Sequence, residues 1–554
     1  MQKKSESLKV KSEKTDAAFF DFHSFLSGKI FTWIGIIFIS VLIFILRSRL
    51  LPIPFERDEG GFAYMGYTWL EGTSLFTDYV DVKPPLIYIL YGIFSKLFGA
   101  DPSGIHTGLM LFNLGFSITF FLFLKKYYHS GIALLASVSF VLLSSMSNVF
   151  GFAAHATQLL IWPAIGGLWL TRQGLEQEKL LKIALGGFLL GIAFLIKQQA
   201  LGFMLLAGIF LSFITLYPKP RWVFWLKTGA TLTFFAVLPY VLCLIWFYFT
   251  GALHNFWYWT YVWPSQFAAK QTGNIELFNM MYGMVSRNTE WIWYIGLSGL
   301  MLIWFTKIPI TEKVFSLLLA FFGFLALSIG FHYYPHYFVV LLPAVCLGFA
   351  LAMYSIGTFL QRINISSGIS YPLVILFSLA PLFFTFKSSK DYYFKDKHAN
   401  ILRNVYGANP FQESYIMGNK IKKMSLPGDS ILVLGSEPQI LFYSKLPSIT
   451  EHMHYYQLVD GGSQNDSLQQ ILINKAEKSK PRFLVFSRNG YSWLNKNPES
   501  KLFTWLNPFI QQNYTLIGMA NVNKDKPTTY LWDKDVNYDK MTNESLLLFS
   551  RNLN

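Results

Sequence analysis

Long apolar runs with few charged residues dominate this sequence. A helix of roughly twenty apolar residues crosses the hydrocarbon core of a bilayer. By that measure the 554-residue chain has about eleven candidate spans. They lie near 30–47, 106–124, 131–149, 153–171, 180–197, 199–217, 223–250, 290–306, 313–331, 335–356 and 369–386. We therefore predict a polytopic α-helical membrane protein, placed in the cell membrane, rather than a soluble enzyme.

The basic residues predict its orientation. Short loops rich in Lys and Arg face the cytoplasm. One alternate set of loops, with the N-terminal tail, holds about seventeen basic residues, and the other set holds about eight. The net charge of +15 is thus explained by topology, and no nucleic-acid partner is predicted. We predict a cytoplasmic tail at 1–29, a membrane domain at 30–387 and an extracytoplasmic domain at 388–554.

The last third of the chain has a different pattern. Strand-like stretches at 430–435, 482–487, 515–522 and 528–532 alternate with helix-like stretches such as 467–478. That alternation predicts a small α/β domain. It contains neither a P-loop nor a GxGxxG fingerprint, so nucleotide binding is not indicated.

Acidic residues concentrate in the first outer loop, 48–105. Of about twelve Asp and Glu between residues 30 and 386, seven lie there. Carboxylates contribute little to topology, so their clustering points to chemistry at the membrane surface. Apolar spacing predicts a short interfacial helix at 62–70 and a second at 86–98, opened by the pair Pro84-Pro85.

Two motifs carry a resemblance to a known family. The outer loop reads Arg57-Asp58-Glu59-Gly60-Gly61, then Asp78-Tyr79-Val80-Asp81-Val82-Lys83-Pro84-Pro85. A later run reads Phe331-His332-Tyr333-Tyr334-Pro335-His336-Tyr337 and ends in Leu341-Leu342-Pro343. With the span layout, these runs resemble the GT-C glycosyltransferases of family 39 type. That family includes protein O-mannosyltransferases and bacterial enzymes that transfer aminoarabinose to lipid A.

The resemblance implies a GT-C-like fold and a glycosyltransferase that uses a polyprenyl-phosphate sugar at the outer membrane face. Asp58 takes the family's general-base position, with Glu59 as a second catalytic candidate. A neighbouring carboxylate raises the pKa of Asp58 and Arg57 lowers it, and the sequence leaves the balance open. Cations near a helix start suit the donor phosphate. The candidate phosphate ligands are Lys83, Lys197 and Arg287, and the candidate substrate-binding residues are Tyr64, Asp78, Asp81, His155, His332, His336 and Tyr337.

Cofactors and partners follow from the same residues. Residues 151–158 lack the acidic residue that family members often carry there, so the sequence predicts no metal-ligand set and leaves a divalent metal open. Expected partners are a polyprenyl-phosphate sugar donor, membrane lipids, and a lipid, glycan or protein acceptor. The rival hypothesis is a transporter or flippase for a lipid-linked glycan. Transporters usually place ionisable groups at mid-membrane, whereas the acids here cluster in one loop.

Overall fold

The computed structural model describes residues 28–269, 275–462, 464–494 and 499–552. The tail predicted at 1–29 lies almost wholly outside them. The long helices of the N-terminal part are Lys29–Arg47, Pro102–Tyr127, Ser130–Ser144, Ala156–Glu176, Leu180–Ile196, Leu201–Leu216, Trp222–Phe249, Glu290–Leu302, Ile310–Ser328, Leu342–Arg362 and Ser367–Phe394.

A helix occupies each of the predicted spans. Within the described residues, seven helical stretches are long and apolar enough to cross a membrane, and shorter apolar helices lie between them. Helix Lys29–Arg47 has large outward-facing side chains, with Trp33 64% and Phe44 61% exposed. Such a surface is suited to contact with lipid rather than water. The predicted class, a polytopic helical membrane protein, is confirmed, while the number of crossings and their orientation stay predictions.

The first outer loop folds into two helices, Arg57–Leu70 and Leu86–Phe98. The first helix begins after Glu56, whose carboxylate accepts a hydrogen bond from the backbone N–H of Glu59 at 2.8 Å. This is an N-cap, which satisfies a donor that the helix itself cannot. The two helices cross at Gly66 and Gly92, where a Cβ on either residue would collide with the backbone of the other helix.

Shorter helical segments lie between the long helices that follow this loop. Helices Leu253–Trp257 and Trp263–Ala269 flank a π-helical turn at Tyr258–Val262, and helix Ile275–Ser286 follows. A 3-10 segment, Pro335–Val340, precedes helix Leu342–Arg362.

The C-terminal part is the small α/β domain predicted from the sequence. Its strands are β1 (Ile431–Leu434), β2 (Phe483–Ser487), β3 (Tyr514–Asn521), β4 (Thr529–Trp532) and β5 (Ser545–Arg551), in the order β1-β2-β5-β3-β4. Its helices are His398–Tyr406, Phe411–Met424, Gln439–Ser444, Tyr456–Val459, Asn465–Ser479 and Lys501–Asn513. Among the described strands, the β1–β2 pair is parallel and the other pairs are antiparallel. The sequence reading missed the central strand β5, because its short apolar run lacks the alternation that distinguishes a strand from a buried helix segment.

The C-terminal domain is joined to the first outer loop through polar and backbone contacts. Arg57 forms an ion pair at 2.7 Å with Glu437, whose carboxylate is fully buried. The backbone N–H of Val80 donates to the carbonyl of Glu451 at 2.8 Å. Gly60 lies so close to the backbone of Gln439 that a Cβ there would collide with it. The loop that carries Asp58 is therefore covered by the C-terminal domain.

The predicted orientation can be tested with reporter fusions. Helix Ser367–Phe394 separates Gln361 from the C-terminal domain. We expect a reporter fused at Gln361 to be cytoplasmic and one fused after Lys387 to be extracytoplasmic. If both reporters read the same side, the last span is wrong and the side of the C-terminal domain must be reassigned.

Candidate functional site

Asp58 lies in the first turn of helix Arg57–Leu70, at the centre of a group of charged and aromatic side chains. The preceding residue, Arg57, forms an ion pair with Glu437. Glu56, which precedes Arg57, is buried. Burial, with the charge of Asp58 next, raises the pKa of Glu56 well above its ordinary value. The three consecutive residues thus lie in different surroundings: Glu56 Oε1 is 3.9 Å from His155 Nδ1, and Asp58 places a carboxylate oxygen near both His155 and His336.

Two lysines act on this carboxylate from different segments. Burial alone would raise the pKa of Asp58, but Lys83 first, and then His454, His155 and Lys197, bring it below the ordinary value. The sequence leaves open whether Arg57 or Glu59 has the larger effect on the pKa of Asp58. In the structure, the charge of Lys83 has the larger effect on that pKa. Asp58 is therefore a carboxylate at neutral pH, and Lys83, whose charge acts on it, can itself bind an anion.

The two lysines reach the site from conformationally restricted positions. Lys83 immediately precedes the Pro pair that opens helix Leu86–Phe98. Lys197 follows the last residue of helix Leu180–Ile196, in extended backbone, and is only 5% exposed. Its Nζ lies 3.7 Å from the centre of the Tyr337 ring, a cation–π contact.

A buried network fixes the backbone of Lys83. The N–H of Lys83 donates to Tyr88 Oη at 3.2 Å, and Tyr88 Oη donates to Asp81 Oδ2 at 3.1 Å. Asp81 Oδ1 accepts from the N–H of Val82 at 2.7 Å and lies 3.6 Å from His454 Nε2. Asp81, predicted to bind substrate, thus joins the C-terminal domain to the segment that carries Lys83.

Two of the predicted histidines meet beside Asp58. The rings of His155 and His336 stack with centroids 3.8 Å apart and planes 6° apart. One ligand atom from each of Asp58, His155 and His336 lies within 4.8 Å of the others, so a divalent metal is possible here. His155 Nε2 and His336 Nδ1 are buried and have no hydrogen-bond partner in the part of the chain that the structure describes.

The stack itself does not match metal coordination. An imidazole binds zinc through a lone pair in the ring plane, about 2.0–2.1 Å from the ion. Two nearly parallel rings stacked at 3.8 Å cannot both hold one ion in their planes unless a ring rotates. The donor types fit a metal and the ring orientations do not, so no chemical step is assigned to one.

Glu59 lies in a different environment from Asp58. Its side chain is fully buried, and Oε1 accepts from the N–H of Ala154 at 2.6 Å and contacts His106 Nε2 at 2.9 Å. His106 in turn contacts the carbonyl of Leu51 at 2.8 Å. This carboxylate joins the first outer loop to helix Pro102–Tyr127 and to the turn before helix Ala156–Glu176. The contacts favour a positioning role, and the predicted catalytic role of Glu59 remains untested.

Changing Glu59 should therefore act on stability more than on chemistry. Glu59→Gln keeps an oxygen for Ala154 and should lower turnover only mildly. Glu59→Ala leaves a buried N–H and His106 unpaired, at a cost of about 1–3 kcal/mol each. We expect the Ala variant to melt at a lower temperature in detergent and the Gln variant to melt near the parent protein. A Gln variant that is stable but inactive would instead indicate that Glu59 takes part in the chemistry.

Three other predicted residues lie in separate surroundings. Tyr64 is buried, and its phenol donates to the carbonyl of Leu446 at 3.1 Å and accepts from the N–H of Ser448 at 2.8 Å. Asp78 is exposed and caps a turn by accepting from the N–H of Ser74. The side chain of Arg287 is exposed. Tyr64 thus contacts the C-terminal domain, and the described contacts do not connect Asp78 or Arg287 with the Asp58 cluster.

Aromatic rings from three segments form a rim around the cluster. His332 stacks on Phe267 at 5.3 Å and on Tyr334 at 5.5 Å, and Tyr456 stacks on His454 at 5.2 Å. Tyr334 is 39% exposed. Burial and the nearby lysines lower the pKa of His332 to about 4, so it is neutral at pH 7.

The sequence reading missed His454 and Tyr456. The signal is the run His452-Met453-His454-Tyr455-Tyr456, which, like the run at 331–337, places two His residues beside Tyr residues, within an otherwise unassigned domain.

The chain is similar to proteins of known structure. Neither a family model nor a curated protein sequence matches the chain. ArnT from Cupriavidus metallidurans bound to undecaprenyl phosphate is similar over 94% of this chain and 98% of its own, at 12% identity and a TM-score of 0.55. Its apo structure gives a TM-score of 0.57 over the same shares of the two chains and at the same identity.

A second enzyme of the same architecture is also similar. The archaeal oligosaccharyltransferase AglB from Archaeoglobus fulgidus, in complex with an inhibitory peptide and a dolichol-phosphate, matches over 92% of this chain and 75% of its own. The identity is 12% and the TM-score is 0.53. The chain has the GT-C fold. The GT-C likeness extends over both the helical part and the C-terminal domain, and the family 39 subtype stays a prediction.

Proposed function

We propose that this protein is a glycosyltransferase that moves a sugar from a polyprenyl-phosphate donor to an acceptor at the outer face of the membrane. The observation that carries the proposal is the position of Asp58, a carboxylate with Lys83 and the buried Lys197 acting on it. A base beside two cations suits transfer from a phosphate leaving group.

The chemistry follows from these three groups. Lys83 and Lys197 bind the donor phosphate, which counters the negative charge that grows on it as the bond breaks. Asp58 accepts the proton of the acceptor hydroxyl, whose oxygen forms a bond to the anomeric carbon. The bond between that carbon and the phosphate oxygen breaks, and its electron pair leaves with polyprenyl phosphate. A single displacement of this kind inverts the anomeric centre, as the family resemblance implies.

A lipid-linked donor fits the surroundings of the site. Lys83 lies at the start of helix Leu86–Phe98, which exposes Ile93 and Leu97. Lys197 lies where one apolar helix ends and another follows closely. A lipid tail can therefore remain among apolar helices while its phosphate reaches both lysines. The similar structures of ArnT with undecaprenyl phosphate and of AglB with a dolichol-phosphate support this donor class.

The proposal can be tested with purified protein in lipid nanodiscs. We expect saturable binding of polyprenyl phosphate and, with a polyprenyl-phosphate sugar, release of polyprenyl phosphate together with a glycosylated product. Mass spectrometry of cell-surface glycans with and without the gene should identify that product. Movement of an intact lipid-linked sugar between leaflets, with the sugar–phosphate bond uncleaved, would instead support the rival flippase.

A further inference from the structure

The structure points to a role for the C-terminal domain inside the transfer site, and this inference rests on the proposed function. We infer that His454, oriented by Asp81, binds a hydroxyl group of the acceptor, and that the acceptor is a saccharide. Four observations carry the inference: the path of the segment 448–456, the unpaired nitrogen of His454, the aromatic rim, and the domain from which these groups come.

The segment 448–456 enters the first outer loop from the C-terminal domain. Its first residue, Ser448, donates its N–H to the phenol of Tyr64, and the stretch around His452 pairs with Val80 as a parallel bridge. These contacts attach the segment to the first outer loop at two points, Tyr64 and Val80. The backbone contacts of its segment therefore hold His454 against helix Arg57–Leu70, and only 2% of the residue is exposed.

The two ring nitrogens of His454 have different surroundings. Nε2 faces Asp81 Oδ1 at 3.6 Å. A carboxylate beside Nε2 favours the tautomer with its proton there, which leaves a lone pair on Nδ1. Nδ1 is buried and has no hydrogen-bond partner among the described residues. A buried acceptor of this kind costs free energy unless a ligand donates to it, and a hydroxyl group is such a donor.

The groups around His454 suit a sugar. Tyr456 stacks on His454, and the half-exposed rings of Tyr334, His332 and Phe267 continue the rim. An aromatic face can pack against the C–H face of a pyranose, while phenol and imidazole edges hydrogen-bond its hydroxyls. A serine or threonine side chain offers a single hydroxyl, whereas a saccharide offers several and a flat apolar face as well.

The domain that contributes His454 favours the acceptor rather than the donor as its ligand. The proposed phosphate ligands Lys83 and Lys197 belong to the part of the chain that holds the helices. His454 and Tyr456 come from the C-terminal domain, which covers the Asp58 loop. The lipid tail and phosphate of the donor remain with the helical part, so we assign the face that the C-terminal domain contributes to the attacking molecule.

The test compares two isosteric substitutions in the full-length protein. The amide of Asn places an oxygen where Nδ1 lies, and the amide of Gln places one where Nε2 lies. The probes are a short-chain polyprenyl-phosphate sugar and the envelope glycan extracted from cells that lack this gene. We expect His454→Gln to raise the KM for the glycan by about tenfold, as for a lost buried hydrogen bond. His454→Asn should restore most of the affinity, and the Kd for polyprenyl phosphate should be unchanged in both variants.

His452→Asn is the matched control. His452 lies in the same segment, is equally buried and also has an unpaired Nδ1, but it packs on Trp259. Its substitution should leave the KM for the glycan unchanged. Equal KM values for the parent and His454→Gln would overturn the inference, as would a serine- or threonine-containing peptide that replaces the glycan as acceptor. A parent protein that transfers no sugar to any acceptor, water included, would instead refute the proposed function.

Discussion

Replacing Asp58 with Asn should lower turnover by about a hundredfold or more, the range expected when a general base is removed. The amide keeps the size and hydrogen-bonding capacity of the side chain but cannot accept the proton of the acceptor hydroxyl. The variant should fold and insert, because the N-cap of this helix is supplied by Glu56 rather than by Asp58. The measurement is the initial rate of product formation at saturating donor.

Donor binding gives the internal check on this result. Asn removes a negative charge near the two lysines, so the affinity for polyprenyl phosphate should stay the same or increase. Glu59→Gln is the neighbouring control and should be much milder, since Glu59 contacts Ala154 and His106. If Asp58→Asn transfers sugar at close to the parent rate, Asp58 is not the base, and Glu59, Asp78 or Asp81 must be tested in its place.

Replacing Lys83 with Ala should remove most of the donor affinity. A charge-assisted hydrogen bond to phosphate contributes about 1.5–3 kcal/mol, which is roughly a ten- to hundredfold change in Kd. Lys197→Ala should cause a smaller loss of donor affinity, because the buried Lys197 side chain already contacts the Tyr337 ring. Arg287→Ala should lose least, since its side chain is exposed. The readout is binding of polyprenyl phosphate in nanodiscs.

The same substitution has a consequence for pH dependence. The charge of Lys83 lowers the pKa of Asp58, so its loss should raise that pKa. A carboxylate acts as a base only above its pKa, so the acid limb of the activity profile should move to higher pH in Lys83→Ala. Unchanged affinity together with an unchanged acid limb would place the phosphate site elsewhere.

The sequence by itself determined the local features of this protein. Apolar run length predicts a helix at every proposed span, because crossing a bilayer requires a stretch of fixed length. The clustering of acids in one outer loop, with Lys83 before a Pro pair, indicated where chemistry occurs. The change of composition near 388 indicated a second domain. Each of these features is a property of neighbouring residues and needs no knowledge of the packing.

Only the tertiary structure decided which distant residues meet. Nothing in the sequence pairs His155 with His336, Arg57 with Glu437, or Asp81 with His454. Nor does it separate Asp58, on which Lys83 acts, from Glu59, which contacts Ala154 and His106. Such contacts arise when packing brings separate segments together, and their electrostatic effects depend on distance and burial. The C-terminal domain became part of the site only through that packing.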